Sequence, residues 1–267
     1  MKRPEFAGTW ALVTGASSGL GEEFAKQLAR QGVNLLLTAR SREKLSRFAE
    51  DLARVNGVST HALVADLGLP DGARTLLAQV DALGMHVTHV VSNAGFGSAG
   101  AFTNSNPETE ARMVRVNVES VVTIARHFLP RLLGRNDGGL IQVASTAGFQ
   151  PTPFMATYGA SKAFVLSFTL SLAEEVRGTG VRVMALCPGP VPTGFQEAAG
   201  IQQSGLLKLT RLDAHTVVEA AFAGYAAGRT VVVPGTLNAL QTTAAKVLPT
   251  GLVVRAARWA MQGLGRG

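Results

Sequence analysis

The sequence predicts an α/β fold, a doubly wound parallel sheet of about seven strands with helices on both faces. Three observations lead there. Apolar runs of strand length alternate with helical patterns from Trp10 to Pro234, and hairpin signals between them are few, so successive strands need helical crossovers and lie parallel. Gly15, Arg40, Asp66, Asn93, Ser145 and Pro188 all fall where those runs end, the side of such a sheet on which ligands sit. The 267 residues, 46% hydrophobic and 16% charged, show no linker-like break in composition, so the chain reads as one domain over residues 1–267.

Trp10-Ala11-Leu12-Val13-Thr14 is the first strand, followed by Gly15-Ala16-Ser17-Ser18-Gly19-Leu20-Gly21 and an amphipathic helix through Phe24 and Leu28. Glycines let a ligand approach the backbone, and free N–H groups at a helix start attract phosphate. Three glycines also serve any tight turn; the strand before and the helix after point to a phosphate. Val33 to Thr38 is the second strand, ending at Ala39-Arg40-Ser41-Arg42. In dinucleotide-binding sheets this end faces the adenosine ribose, where an acidic residue takes the 2′-hydroxyl and an arginine a 2′-phosphate. No Asp or Glu precedes Glu43 there, so Arg40 favours NADP over NAD, the alternative being that Arg40 and Arg42 are solvated loop charges.

A charged helix near 41 to 55 leads to a third strand, Ser59 to Ala65, closed by Asp66-Leu67 and a helix start at Pro70. Asp66 either caps the turn or bonds a ligand amine. Val87 to Ser92 is the fourth strand, with Asn93-Ala94-Gly95 at its end, where small residues permit close approach. A long helix from about Pro107 to Leu133 carries Asn117 within an apolar stripe; a buried amide there is either a structural hydrogen-bonding group or part of a polar relay. Gly139 to Ser145 is the fifth strand, and Val181 to Gly189 holds the sixth.

Between them Tyr158 and Lys162 stand four residues apart in a helical segment, hence on one helix face. Such a pair is often a plain surface contact. A nearby ammonium also favours phenolate, so Lys162 is expected to pull the Tyr158 pKa below its reference of about 10 and equip it to exchange a proton with an alcohol or carbonyl oxygen.

The net charge of +7 suits an anionic ligand, and without zinc-ligand clusters or aromatic-basic motifs nucleic acid is not expected. The single cysteine, Cys187, excludes an internal disulfide and lies in an apolar run, and residues 1–8 hold no secretory stretch. A cytoplasmic location is expected.

Taken together, Thr14-Gly15-x-x-x-Gly19-x-Gly21, Asn93-Ala94-Gly95, Asn117, Ser145, Tyr158-x-x-x-Lys162 and Pro188-Gly189 resemble the short-chain dehydrogenase/reductase family, over roughly residues 9 to 195. The C-terminal part is similar to its ketoacyl reductase-like branch. The resemblance implies a Rossmann-type NAD(P)-binding domain and an enzyme moving hydride between nicotinamide and a carbonyl or alcohol. It implies Tyr158 as general acid/base, Lys162 as the group lowering its pKa and bonding the ribose, Ser145 as holder of the substrate oxygen, and Asn117 as anchor of a proton-relaying water. Cofactor contacts would come from Gly15, Ser17, Ser18, Gly19, Leu20, Gly21, Arg40, Asp66, Leu67, Asn93, Ala94, Gly95, Tyr158, Lys162, Pro188, Gly189, Val191 and Thr193, with no metal. Ser17 stands where some NADP-using members carry a basic residue, so the preference leans on Arg40. A homo-oligomer, dimer or tetramer, is expected. A non-catalytic NADP-sensing or scaffold protein on the same fold is the alternative, though it has no physical need of the Asn117, Ser145, Tyr158 and Lys162 set.

For the substrate, Phe96, Phe149, Pro151, Phe154, Met155 and Phe195 are the expected apolar wall, with a loop at about 190–212 including Leu206, Leu207 and Leu209. Such a wall suits a lipophilic carbonyl compound, although core packing explains any one of these aromatics. A helical extension is expected near 236–263, its tail from Leu252 to Gly263 carrying Arg255, Arg258 and Gln262 on one stripe. Too short to span a bilayer, the tail is expected to pack on its own domain or a second subunit ahead of a membrane surface.

Overall fold

The computed structural model describes residues 7–194 and 210–261. Seven strands form one sheet, every pairing parallel, in the order β3-β2-β1-β4-β5-β6-β7. They are β1 Trp10–Thr14, β2 Asn34–Ala39, β3 Thr60–Val64, β4 Val87–Ser92, β5 Gly139–Val143, β6 Arg182–Leu186 and β7 Val231–Val232. The helices are α1 Gly19–Arg30, α2 Arg42–Asn56, α3 Gly72–Ala82, α4 Pro107–Val114, α5 Ser120–Arg135, α6 Ala156–Glu175, α7 Ala214–Ala226, α8 Thr236–Val247 and α9 Thr250–Ala260.

Alternation along the strands explains the layers. Side chains point to opposite faces in turn, so Ala11, Val13, Leu35 and Leu37 enter one core with Phe24, Leu28 and Val217, under α1, α2 and α7. Leu12, Leu36, Val90 and Leu140 enter the other with Leu76, Ile124 and Phe128, under α3 and α5. Both faces are covered, which is why the strands read as unbroken apolar runs. No helix among the described residues is long and apolar enough to cross a membrane.

Three boundaries differ from expectation. The third helix begins at Gly72 rather than Pro70, because Leu69 N first closes a turn on Asp66 O at 3.1 Å and a side chain at 72 would overlap that same carbonyl. The helix expected from Pro107 to Leu133 is two helices joined by a π turn, Arg115–Glu119. π turns recur at functional sites, and this one holds Asn117. The helical extension expected near 236–263 is two helices, α8 and α9, parted at Pro249, and the tail helix begins at Thr250 rather than Leu252. Its Val253 and Ala257 pack inward, while Leu252 and Trp259 are exposed. Phe195, Leu206, Leu207, Leu209, Gln262 and Gly263 lie outside the described residues, as does most of the loop expected at 190–212.

Candidate active site

The strand ends meet around a cavity of about 360 Å³, lined from Gly15, Ser17, Ser18, Gly19 and Leu20, past Arg40, Asp66 and Leu67, to Asn93, Ala94 and Gly95, then Ser145, Tyr158 and Lys162, and on to Pro188, Gly189, Val191 and Thr193. All the expected site residues except Gly21 and Asn117 line it directly. Those two stand just behind the wall. A side chain on Gly21 would overlap the Gly15 carbonyl, so only glycine fits where α1 leaves the turn.

Thr14 assembles this end of the sheet. Its hydroxyl accepts the amides of Asn93 at 3.0 Å and Ala94 at 2.9 Å, tying β4 to the glycine turn. Asn93 reciprocates by donating from Nδ2 to Thr14 O at 2.9 Å. Gly15 takes φ +66°, open to glycine without strain, and a Cβ on it would stand 2.9 Å from Ala94 Cα. Ser18 precedes α1 without a side-chain cap, so the first-turn N–H groups remain donors at the cavity wall.

At the other end, α6 carries Tyr158 half-buried and Lys162 buried, 5% exposed. The surface-pair alternative is thereby ruled out. Gly159 lets the helix close on Thr152, whose hydroxyl donates to Met155 O at 3.0 Å. Lys162 Nζ donates to Val143 O at 2.8 Å and lies 5.8 Å from the Tyr158 ring centre. Burial pulls the Lys162 pKa down to about 8, with the nearby Cys187 as a lesser, opposing influence. The buried Cys187 thiol is itself pushed up to about 12 by burial.

The expected depression of Tyr158 is not found. Burial raises its pKa, and the hydrogen bond with Ser145 offsets that only in part. The helix spacing is right, but Lys162 donates to Val143 O, and desolvation of the phenolate dominates. Ser145, at the end of β5, accepts from Ala147 N at 3.1 Å and reaches Pro188 O at 3.5 Å, which holds its hydroxyl between β5 and β6.

Asn117 is 1% exposed and fully engaged. Its Nδ2 donates to Phe96 O at 2.9 Å and Ser161 Oγ at 3.0 Å, and Oδ1 accepts from Phe96 N at 3.1 Å. These bonds give Asn117 a structural part, and it also borders the site: a Cβ on Gly95 would stand 3.2 Å from Asn117 Oδ1 and 3.3 Å from Lys162 Nζ.

Arg40 is exposed at the cavity rim. Asp66 caps its turn, Oδ1 accepting from Gly68 N at 2.8 Å, and also pairs with Arg112 at 2.9 Å. Arg112 also lines the cavity and was outside the expected set; it lies 46 residues from Asp66, and no local pattern links the two. Of the described residues of the expected apolar wall, only Phe96 lines the main cavity. Phe154 and Met155 line a smaller one beside it with Ser98 and Phe102, and Phe154 takes φ +65°, unusual for a side chain of its bulk. Phe149 instead packs on the core beside Val165 and under Lys246, and Pro151 faces solvent, so neither forms the wall.

A family model described as short chain dehydrogenase matches residues 9–204. The chain belongs to the short-chain dehydrogenase family. It is therefore an oxidoreductase acting on alcohol and ketone groups. Short-chain dehydrogenase relatives include an uncharacterized oxidoreductase of Staphylococcus epidermidis, 36% identical over 187 residues, 70% of this chain and 80% of that one. A very-long-chain 3-oxoacyl-CoA reductase of Anas platyrhynchos is 35% identical over 194 residues, 70% of this chain and 61% of that one. Among solved structures, a 7beta-hydroxysteroid dehydrogenase superimposes with a TM-score of 0.86 at 26% identity, covering 96% of this chain and 99% of that one. A family member from Sphingobium yanoikuyae, in complex with NADPH, gives 0.79 at 29% identity over 96% of this chain and 95% of its own. One from Burkholderia phymatum, in complex with NAD, gives 0.79 at 29% identity over 90% and 93%.

Proposed function

We propose that the chain is an NADP(H)-dependent reductase of a lipophilic ketone, aldehyde or 3-oxoacyl group, with Tyr158 as the proton-transferring residue. The observation that carries the reading is the Ser145–Tyr158 hydrogen bond beside the buried Lys162, at one end of a cavity whose other end is rimmed by Arg40.

The residues present fit a nicotinamide nucleotide. Gly15 and Gly21 let the turn close tightly against Ala94 and the start of α1, since a Cβ on either would meet Ala94 or the Gly15 carbonyl, and Thr38 Oγ1 is buried without a hydrogen-bond partner on a residue that lines the cavity beside Arg40. Gly15, Ser17, Ser18, Gly19, Leu20 and Gly21 would hold the pyrophosphate at the start of α1, and Asp66 with Leu67 the adenine. Asn93, Ala94, Gly95, Tyr158 and Lys162 would flank the nicotinamide ribose, with Pro188, Gly189, Val191 and Thr193 at the carboxamide. When bound, the cofactor supplies the hydride.

The chain's own part is placement and the proton. Ser145 Oγ holds the substrate oxygen beside the phenol, and the raised pKa keeps Tyr158 protonated at neutral pH, ready to donate during reduction. Lys162 places a positive charge behind it as the phenolate forms, and Asn117 holds the 95–96 segment against Ser161 so that these groups stay in register. Phe96 and the neighbouring Phe154 and Met155 surfaces suit an apolar substrate body, which the lipophilic compounds named for the acyl-CoA and hydroxysteroid relatives also possess.

The test is nicotinamide nucleotide consumption across aldehydes, ketones, steroids and 3-oxoacyl thioesters. NADPH-dependent turnover of one apolar class is expected; nucleotide binding without turnover on any class would favour the sensing alternative. For the cofactor, Arg40→Ala should weaken NADPH about tenfold with little change for NADH, since one charge-assisted contact is lost. An unchanged ratio of the two dissociation constants refutes the assignment.

A further inference from the structure

Helices α8 and α9 keep apolar side chains on the outside. An outer helix normally turns its apolar stripe to the core and its polar side to water. In α9, Val253 and Ala257 do pack inward, yet Leu252 and Trp259 are 55% and 71% exposed, on an outer side that they share with Ala256 through i, i+4, i+7 spacing. Just before the joint at Pro249, Val247 and Leu248 are 77% and 51% exposed. Single exposed apolar side chains are ordinary; four within one short segment mark a contact surface.

Charge decides what that surface meets. Beyond Glu219 the chain holds five cations, Arg229, Lys246, Arg255, Arg258 and Arg266, and no Asp or Glu. Arg255 and Arg258 are exposed on α9 beside Leu252 and Trp259, and neither pairs with an acid among the described residues. A second copy joined through this face would set arginine against arginine, since a two-fold pair presents the same surface from both sides. An anionic bilayer surface uses both features: leucine and tryptophan enter the boundary between headgroups and acyl chains while the flanking arginines meet lipid phosphates. With 11 residues α9 is about 16 Å long, half the thickness of a bilayer core, so it would lie along such a surface rather than cross it.

We infer that α9 and the joint before it dock this chain on an anionic phospholipid surface. The same pair of helices backs the cavity. Lys246 Nζ of α8 lies 4.8 Å from the ring centre of Phe149, in the turn that follows Ser145, and a Cβ on Gly189 of the cavity wall would stand 2.4 Å from Asn238 Oδ1. The docking surface and the Ser145 end of the cavity therefore share α8. The inference is independent of the proposed activity.

The test is co-sedimentation of the full chain with vesicles of phosphatidylcholine alone and of phosphatidylcholine and phosphatidylglycerol in equal parts. Binding to the mixed vesicles should be at least about tenfold tighter and should weaken as salt rises. Leu252→Ser with Trp259→Ser, and separately Arg255→Gln with Arg258→Gln, should each weaken it about tenfold and leave the thermal melt unchanged, because all four side chains are exposed. In Trp10→Phe, where Trp259 is the one tryptophan left, emission should move to shorter wavelength on binding. No preference for the anionic vesicles, binding unchanged by either pair of substitutions, or an unmoved Trp259 emission overturns the inference. So does a dimer in vesicle-free solution that the serine pair dissociates, since the face would then belong to a second copy. If the serine pair or Trp10→Phe does not fold, the arginine pair decides alone.

Discussion

Replacing Tyr158 with phenylalanine should cut carbonyl reduction by about 10²- to 10⁴-fold, the range for a removed general acid, while nucleotide affinity stays within about twofold. The fold should tolerate the change. Phenylalanine keeps the ring, and Ser145 retains Ala147 N and Pro188 O as partners. Single-turnover reduction separates the two effects, and turnover near the wild-type rate would remove Tyr158 from the proton's path. The same residue sets a pH asymmetry. With its pKa raised, the phenol is the form present at neutral pH, so reduction should run there at full rate. Alcohol oxidation, which needs the proton removed first, should climb with pH. Above about 8, where Lys162 loses its charge, reduction should decline as the support for the forming phenolate goes.

Lys162→Met should do two opposite things: abolish most of the activity and raise stability by about 1–2 kcal/mol. Burial holds the folded Lys162 pKa near 8, against about 10.4 for a free lysine. The unfolded chain therefore binds the extra proton between those values, so wild-type stability rises with pH across roughly 8 to 10.4. Below that window the buried ammonium costs about 3 kcal/mol. Methionine relieves this at similar size, while losing the bond to Val143 O offsets about 1 kcal/mol. Denaturant melts at pH 7 and pH 10 provide the check. The wild type should gain stability between them through this group and the variant should not; a variant less stable than wild type at pH 7 would show that the ammonium holds the site together.

Much of this arrangement was legible in the chain because the signals are local. The alternating apolar runs announce the strands, and Gly15, Ser145 and Pro188 mark their ends without any knowledge of tertiary contacts. Tyr158 and Lys162 share a face through helix geometry alone. What escaped depended on contacts distant in sequence. The pairing of Arg112 with Asp66 joins two elements with no common pattern, and the π turn at Asn117 leaves the apolar spacing of an ordinary helix almost intact. Desolvation misled the reading of Tyr158, since spacing conveys a neighbour's charge but not how far protein has replaced water. The aromatic wall was legible only in part for a related reason: Phe149 and Phe154 are five residues apart in sequence, yet one packs on the core and the other lines a neighbouring cavity.

The strand order has a bearing on how this chain can change over generations. Because β1 stands between β2 and β4, the first sixty-odd residues supply Gly15, Arg40 and Asp66 on one side of the seam, while Ser145, Tyr158 and Lys162 come from a later stretch on the other. On the proposed reading, substitutions in the earlier half would retune which nucleotide is held without displacing the groups that handle the proton. Inheritance would then act on the two parts separately, and descendants of one such chain would diverge in cofactor while keeping the same proton chemistry.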